Sequence, residues 1–264
     1  MYAFTYDPAA SVEEAAEKLR KSPDANVLAG GMSLIPTMKL RLSSPSDLVD
    51  LNGLTELSGI ALADSTLTIG AMTRHAEVAA SADVQGAIPA LAELAGGIGD
   101  VQVRNRGTIG GSICFNDPAA DYPAGLVGLG ATVHTSERSL SSDEFFVSLY
   151  ETALKSGEIV TSVSFPVHEK AGWSKFANLA SRFAIVAVMV STRGGGVRVA
   201  ITGAKECVFR VAEMEQALSA SFSPGAIAAI HVSADDLNDD HHADAEYRAH
   251  LITVLAKRAV AACG

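Results

Sequence analysis

Two glycine pairs close apolar, strand-like runs in this chain, and a serine follows each. The first stands in Val27-Leu28-Ala29-Gly30-Gly31-Met32-Ser33, the second in Thr108-Ile109-Gly110-Gly111-Ser112. Consecutive glycines permit positive φ and let a bulky ligand lie against bare main chain. Amide N–H groups can then converge on one concavity, which suits an anion such as a pyrophosphate. Two such loops, one near the N-terminus and one in mid-chain, point to a single extended nucleotide cofactor gripped from two sides.

Each motif also has a plainer reading. The first pair fits a tight strand-to-helix turn with Ser33 as an ordinary N-cap. The second leads into Asn116-Asp117-Pro118-Ala119-Ala120-Asp121, a polar, turn-dense run in an apolar region, where buried polar groups need partners. A carboxylate at Asp121 suits the hydroxyls of a ribose; the alternative makes both aspartates turn and cap residues. Lys175 is either a long cation reaching toward the cofactor or a surface lysine. His241 and His242, with Asp239, Asp240, Asp244 and His250, look like metal ligands. They lie in a polar stretch entering a helix, where Asp and His cap and solvate, so no metal site is expected. The GxGxxG, GxxxxGK[ST] and GxSxG signatures are all absent from the sequence.

The elements that must position these loops alternate. Residues 4–6 read as a short strand, and Ser11 with Glu14 reads as a capping box for a helix to about Lys21. Strands are expected at residues 26–29, 48–51, 67–70, 130–135 and 159–165. Helices are expected at 33–40, at 74–80 under a Thr73 cap, and at 87–95. Composition shifts near residues 166–173, where 168–172 reads as a linker. Beyond it, 183–191 and 197–202 flank Arg193-Gly194-Gly195-Gly196 as a hairpin. Helices follow at 212–220 and near the C-terminus, the latter with Tyr247, Leu251, Val254, Leu255 and Ala259 on one face. The 264 residues suit two domains, divided at residue 168.

Bulk properties narrow the function. The net charge of −10 argues against nucleic acid and anionic lipid as partners. No uncharged apolar stretch reaches the roughly 18 residues of a membrane span. The first residues lack the basic start and apolar core of a signal peptide. Cys114, Cys207 and Cys263 are widely spaced and fit reduced thiols. A cytoplasmic protein is expected.

Together these segments resemble the FAD-binding (medium) subunit of the xanthine dehydrogenase and carbon monoxide dehydrogenase family of molybdenum hydroxylases. Leu28-Ala29-Gly30-Gly31-Met32-Ser33-Leu34-Ile35-Pro36, with Met38-Lys39-Leu40-Arg41-Leu42, is similar to its first flavin loop. The second loop's counterpart is the run from Ile98-Gly99-Asp100-Val101-Gln102-Val103-Arg104-Asn105-Arg106 to Gly107-Thr108-Ile109-Gly110-Gly111-Ser112, with Asp117-Pro118 and Asp121 after it. Gly70-Ala71-Met72-Thr73-Arg74-His75 and Ala245-Glu246-Tyr247-Arg248-Ala249-His250-Leu251 match further segments. The resemblance implies an α+β fold. A PCMH-type FAD-binding domain of two α/β subdomains (1–168) precedes a smaller domain of antiparallel sheet and helices (169–264).

The resemblance also implies that residues 28–35 and 108–112 line the FAD diphosphate. Ile98 would pack near the cofactor, Asp121 and Val160 would contact it, and Lys175 would reach it from the second domain. A small iron–sulfur subunit and a large molybdopterin subunit, in a dimer of heterotrimers, are the implied partners. Electrons would enter from the clusters and leave for an external acceptor, and no catalytic residue is named. One departure is Ser181-Arg182-Phe183-Ala184, where Arg182 replaces the family's usual acid and Phe183 stands near the ring. Two rivals remain at this point: a stand-alone flavin oxidoreductase and an FAD-free scaffold subunit.

Overall fold

The computed structural model describes residues 1–263. The chain opens with β1 (Thr5–Pro8), α1 (Val12–Lys21), β2 (Asn26–Leu28), α2 (Leu34–Lys39) and β3 (Asp47–Asp50). These strands form a parallel sheet in the order β1-β3-β2. Ser11 caps α1 by accepting from the Glu14 amide, while the Glu14 carboxylate accepts from Ala10 N. The capping box is therefore closed one residue early. Ala15, Ala16, Val49, Leu51 and Leu54 make a small core beneath this sheet.

The middle of the chain holds β4 (Ile60–Ala63), β5 (Thr66–Gly70), α3 (His75–Ala80), α4 (Ala82–Ala87), α5 (Pro89–Gly96), α6 (Val101–Arg106), α7 (Ile109–Phe115) and α8 (Asp121–Gly128). After them come β6 (Thr132–Thr135), β7 (Ser139–Ser141), α9 (Ser142–Phe145), β8 (Phe146–Ser148), β9 (Glu151–Thr152) and β10 (Val160–Pro166). Five strands pair antiparallel as β4-β5-β10-β6-β7. Three details correct the sequence reading. Arg74, not Thr73, precedes α3, because the Thr73 hydroxyl is committed to the Gly59 backbone. The helix expected at 87–95 is α5, which starts two residues later because Ile88 precedes Pro89, and a separate helix, α4, stands before it where none was expected. Three helices, α6 to α8, occupy a stretch read as loop.

The last part comprises β11 (Lys170–Ala177), β12 (Ala184–Arg193), β13 (Gly196–Thr202), β14 (Phe209–Arg210), α10 (Ala212–Ala220) and α11 (Ala245–Ala262). Residues 170–172, expected as linker, begin β11 and pair with β12. The hairpin turn at Gly194 and Gly195 has φ of 57° and 79°, as a two-residue turn matched to strand twist requires. Both faces of this antiparallel sheet are buried. Ala187 and Met189 of β12 join Trp173 in the core shared with α5 and α8. Val186, Val188 and Val190, one residue out of phase, pack with α10 and α11. On α11 the buried face holds Leu251, Leu255 and Ala259 as expected, but Arg248 and Ile252 complete it, while Tyr247 is exposed. Among the described residues no helix is long and apolar enough to cross a membrane.

One buried ion pair pins the segment before β10. Arg138 reaches both oxygens of Glu158 at 2.9 and 3.0 Å, and the Thr135 hydroxyl and Lys155 amide donate to the same carboxylate. The Arg138 hydrogen bonds, opposed by burial, hold Glu158 down at about 2. Its stabilising contribution is complete above the ordinary carboxylate range and fades as pH falls toward 2. Arg138→Met is therefore expected to lower stability at pH 7 by about 2 kcal/mol, less than for a fully buried pair, because the guanidinium is partly exposed. The gap in urea midpoints from wild type should narrow as pH is lowered from 5 to about 3; a constant gap would refute the assignment.

Candidate functional site

The carboxyl ends of β2 and β3 open into a cleft of ≈ 580 Å³. That is where a parallel sheet offers ligands a crevice, since chain turns there leave backbone groups free. Leu28, Ala29, Gly30, Gly31, Met32 and Ile35 line it, so six of the eight first-loop residues gather there. Ser33 and Leu34 begin α2 outside the cleft lining; Ser33 sits at the N-cap without a side-chain cap bond. Gly31 has φ of 72°, and Gly30, Gly110 and Gly111 do not have positive φ.

The two loops treat their amides differently. In the second loop every amide from 109 to 112 is used internally. Ile109 N donates to Thr73 O, Gly110 N to Ala71 O, Gly111 N to the Thr108 hydroxyl, and Ser112 N to Thr108 O. Ile109 is fully buried in the core, and Gly110 lies so close to Ala71 that a Cβ would stand 2.7 Å from its carbonyl oxygen. The expectation of converging amides thus fits the first loop alone. There the N–H groups of Gly30, Gly31, Met32, Ser33 and Leu34 donate to no described residue. What the second glycine pair supplies is close packing, and Gly30 serves the same end. A Cβ at Gly30 would stand 2.2 Å from the Arg106 carbonyl oxygen.

Polar side chains complete the cleft wall: Lys39, Arg74 and Arg106 from the quoted motifs, and Tyr6, Asp50 and Asn52, which the motif search missed. The Tyr6 hydroxyl donates to Asp50 at 2.5 Å, and Asn52 donates twice to the other Asp50 oxygen. Burial pushes Asp50 up, but these bonds outweigh it and keep the carboxyl below its usual range. Arg74, at the N-cap of α3, donates to the carbonyl of Arg106 at 2.9 Å, which ties the start of α3 to the second loop. Asp50 ends a strand of a parallel sheet, and that position was the available signal.

A second polar group is buried apart from the cleft lining. Asp121, at the start of α8, and Lys175, on β11, pair at 2.5 Å with side chains 3% and 10% exposed. Lys175 also reaches Gly97 O, next to Ile98, at 3.3 Å. Burial pushes Asp121 up to about 6, with Lys175 pulling the other way. The Asp121 Oδ1 is buried without any partner in the chain, as is His75 Nδ1. Burial, with Arg104 nearby, brings His75 down to about 4 and keeps it neutral. Val160 is buried at the start of β10, away from the cleft lining. Phe183 is half-exposed, beside Arg182 in a left-handed conformation. The rings of His241 and His242 lie with centroids 3.7 Å apart and planes tilted by 45°. Among the described residues no group of three His, Cys, Asp or Glu is placed to hold a metal.

The free amides and cations of the cleft fit a ligand with an anionic group, while Asp121, Lys175, Ile98 and residues 108–112 lie outside the cleft lining. Comparison with known proteins agrees. Residues 2–168 match the family described as "FAD binding domain in molybdopterin dehydrogenase". The nicotine 6-hydroxylase medium subunit of Paenarthrobacter nicotinovorans is 34% identical over 99% of this chain and 98% of its own length. The structure of carbon monoxide dehydrogenase from Hydrogenophaga pseudoflava superposes with a TM-score of 0.86 at 34% identity, covering 99% of this chain and 97% of that one. Quinoline 2-oxidoreductase from Pseudomonas putida 86 superposes at 0.88 with 28% identity, covering 98% and 96%.

Proposed function

Because this chain belongs to the family of FAD-binding domains of molybdopterin dehydrogenases, we propose that it is the flavoprotein relay of a molybdenum hydroxylase. It passes electrons from iron–sulfur clusters on a partner subunit to an external acceptor. The observation that carries this reading is the run of undonated amides at Gly30, Gly31 and Met32 on the cleft wall, continued by Ser33 and Leu34 at the start of α2.

FAD, when bound, supplies the redox chemistry. The chain's residues do the rest. Residues 28–35 hold the diphosphate against bare main chain. The Gly30–Arg106 contact fixes the separation of the two loops. Asp121 presents a buried oxygen that holds a proton below about pH 6, and the paired Lys175 stabilises the carboxylate above it. The buried walls around this pair exclude water. No side chain needs to act as an acid or base on a substrate, whose own pocket belongs to another subunit.

The partners are a small iron–sulfur subunit and a large molybdopterin subunit, arranged as a dimer of heterotrimers in the cytoplasm. Medium subunits and medium chains among the relatives support a multi-subunit complex. The division at residue 168 is supported by the end of the family match there. The scaffold reading is disfavoured by the intact cleft.

Purified alone, the chain is expected to carry flavin absorbance without dehydrogenase activity, and to gain activity when co-expressed with both partners. A colourless chain that still assembled would favour a scaffold. Turnover by the isolated chain would favour a stand-alone oxidoreductase.

A further inference from the structure

Large apolar side chains left in solvent crowd into one corner of this protein. Tyr2, Phe4, Tyr6, Met32, Leu40 and Leu42 are all exposed, and all precede residue 43. They form one rim. Tyr6 and Met32 line the cleft with Pro36 and Lys39 of α2, and the turn that ends α2 carries Leu40 and Leu42. The Arg41 guanidinium stands 5.3 Å from the centroid of the Tyr2 ring, which joins that turn to the segment running into β1. An exposed apolar patch of this kind marks a contact surface.

The turn is built to hold its leucines out. The Arg41 amide donates to Met38 O and the Leu42 amide to Thr37 O, the paired bonds of a Schellman C-cap. Such a cap favours glycine at its left-handed position, yet Arg41 occupies it with φ of 61°. The residue that follows commonly packs back onto the helix. Leu42 is instead 77% exposed, and Leu40 is 70% exposed.

The charge of the rim is one-sided as well. The carboxylates of β1 and β3 are engaged: Asp7 with Lys18, Asp47 with Ser22 and Ser46, Asp50 with Tyr6 and Asn52. Among the described residues Lys39 and Arg41 belong to no ion pair. The rim is therefore cationic on a chain whose net charge is −10.

We propose that the rim formed by Tyr2, Phe4, Leu40, Arg41 and Leu42 is where the iron–sulfur subunit docks, with an apolar face edged by carboxylates. This inference rests on the FAD reading above. Among the described residues no His, Cys, Asp or Glu group is placed to hold a cluster. Electrons must then arrive from a partner, and that partner must stand beside the cofactor's cleft, which this rim borders. The molybdopterin subunit is under no such requirement. A second exposed apolar group, Val147, Leu149 and Tyr150 at the β8–β9 hairpin, takes no part in the cleft lining and serves as the comparison.

The test co-expresses the full chain with its small and large subunits, and titrates the purified flavin-loaded chain with the iron–sulfur subunit alone. Leu40→Asp combined with Leu42→Asp is expected to keep full flavin content and to weaken the iron–sulfur subunit roughly 30- to 1000-fold, the span of interface hot spots. Tyr2→Ala should give a smaller loss of the same kind. Wild-type affinity should fall as salt rises, and Arg41→Gln should flatten that dependence. Val147→Asp combined with Leu149→Asp should bind the iron–sulfur subunit as wild type does.

Unchanged binding in the variant at Leu40 and Leu42 would overturn the assignment. So would loss of the large subunit alone from the co-expressed complex, or loss of flavin together with the partner, since the leucines would then act through the cleft. Salt-independent wild-type affinity would overturn the carboxylate-edged face. A colourless wild-type chain that still takes the iron–sulfur subunit through this rim would sink the FAD reading and leave the docking surface standing.

Discussion

Gly30→Val is expected to leave the purified chain almost free of flavin and less stable by about 1–3 kcal/mol, the range for forcing atoms into a packed site. A Cβ there would stand 2.2 Å from the Arg106 carbonyl oxygen and 2.8 Å from Gly107 Cα. Both obstacles are backbone, so no rotamer change relieves the clash. The loops must part. Gly31→Ala should cost less, about 1–2 kcal/mol, through its left-handed φ of 72°. Gly53→Ala is the control, because the nearest atom to its new methyl is 3.9 Å away. Flavin-to-protein absorbance and urea midpoints read all three. Full flavin content in Gly30→Val would mean that the contact between the loops does not shape the cleft.

Lys175→Met is expected to have the next largest effect, about 3–5 kcal/mol at pH 8, the cost of leaving a buried charge without its partner. Asp121 is almost fully buried and Lys175 supplies its one side-chain counter-charge. Since burial already raises Asp121 to about 6, the folded chain keeps a proton that the unfolded chain releases. Stability attributable to this group therefore rises as pH falls through 6. Without the lysine the carboxyl should climb further, so the deficit of the variant should shrink between pH 8 and pH 5. The double variant Lys175→Met with Asp121→Asn should regain most of the loss, as removing both charges removes the unpaired one. A single variant and a double variant of equal stability would contradict this account.

Much of the architecture is legible from residues. The helix expected at 212–220 is α10, residue for residue. The Arg193-Gly194-Gly195-Gly196 hairpin follows from turn chemistry alone. By contrast, α8 reads Asp-Tyr-Pro-Ala-Gly-Leu-Val-Gly, with no polar face and two glycines, because all eight residues are buried. Periodicity cannot reveal a helix with no exposed side. Its glycines answer distant neighbours: a Cβ at Gly125 would meet Leu94, and one at Gly128 would meet Met189. The same limit applies to the cleft. Glycine pairs are visible in a sequence, but which amides stay undonated is decided by Thr73 and Ala71, more than 30 residues before the second loop.

The third sheet, covered on both sides, also bears on how this protein can be cut. Gly172 admits the Ala259 carbonyl so closely that a Cβ would stand 2.0 Å from it, and the opposite side is fused to α8 through Trp173 and Met189. A fragment ending after β10 would therefore carry an oily flank along α8 and a carboxylate stripped of its counter-ion. Grafting the front portion onto another scaffold would transplant a vessel without its back wall, prone to aggregate before it could fill.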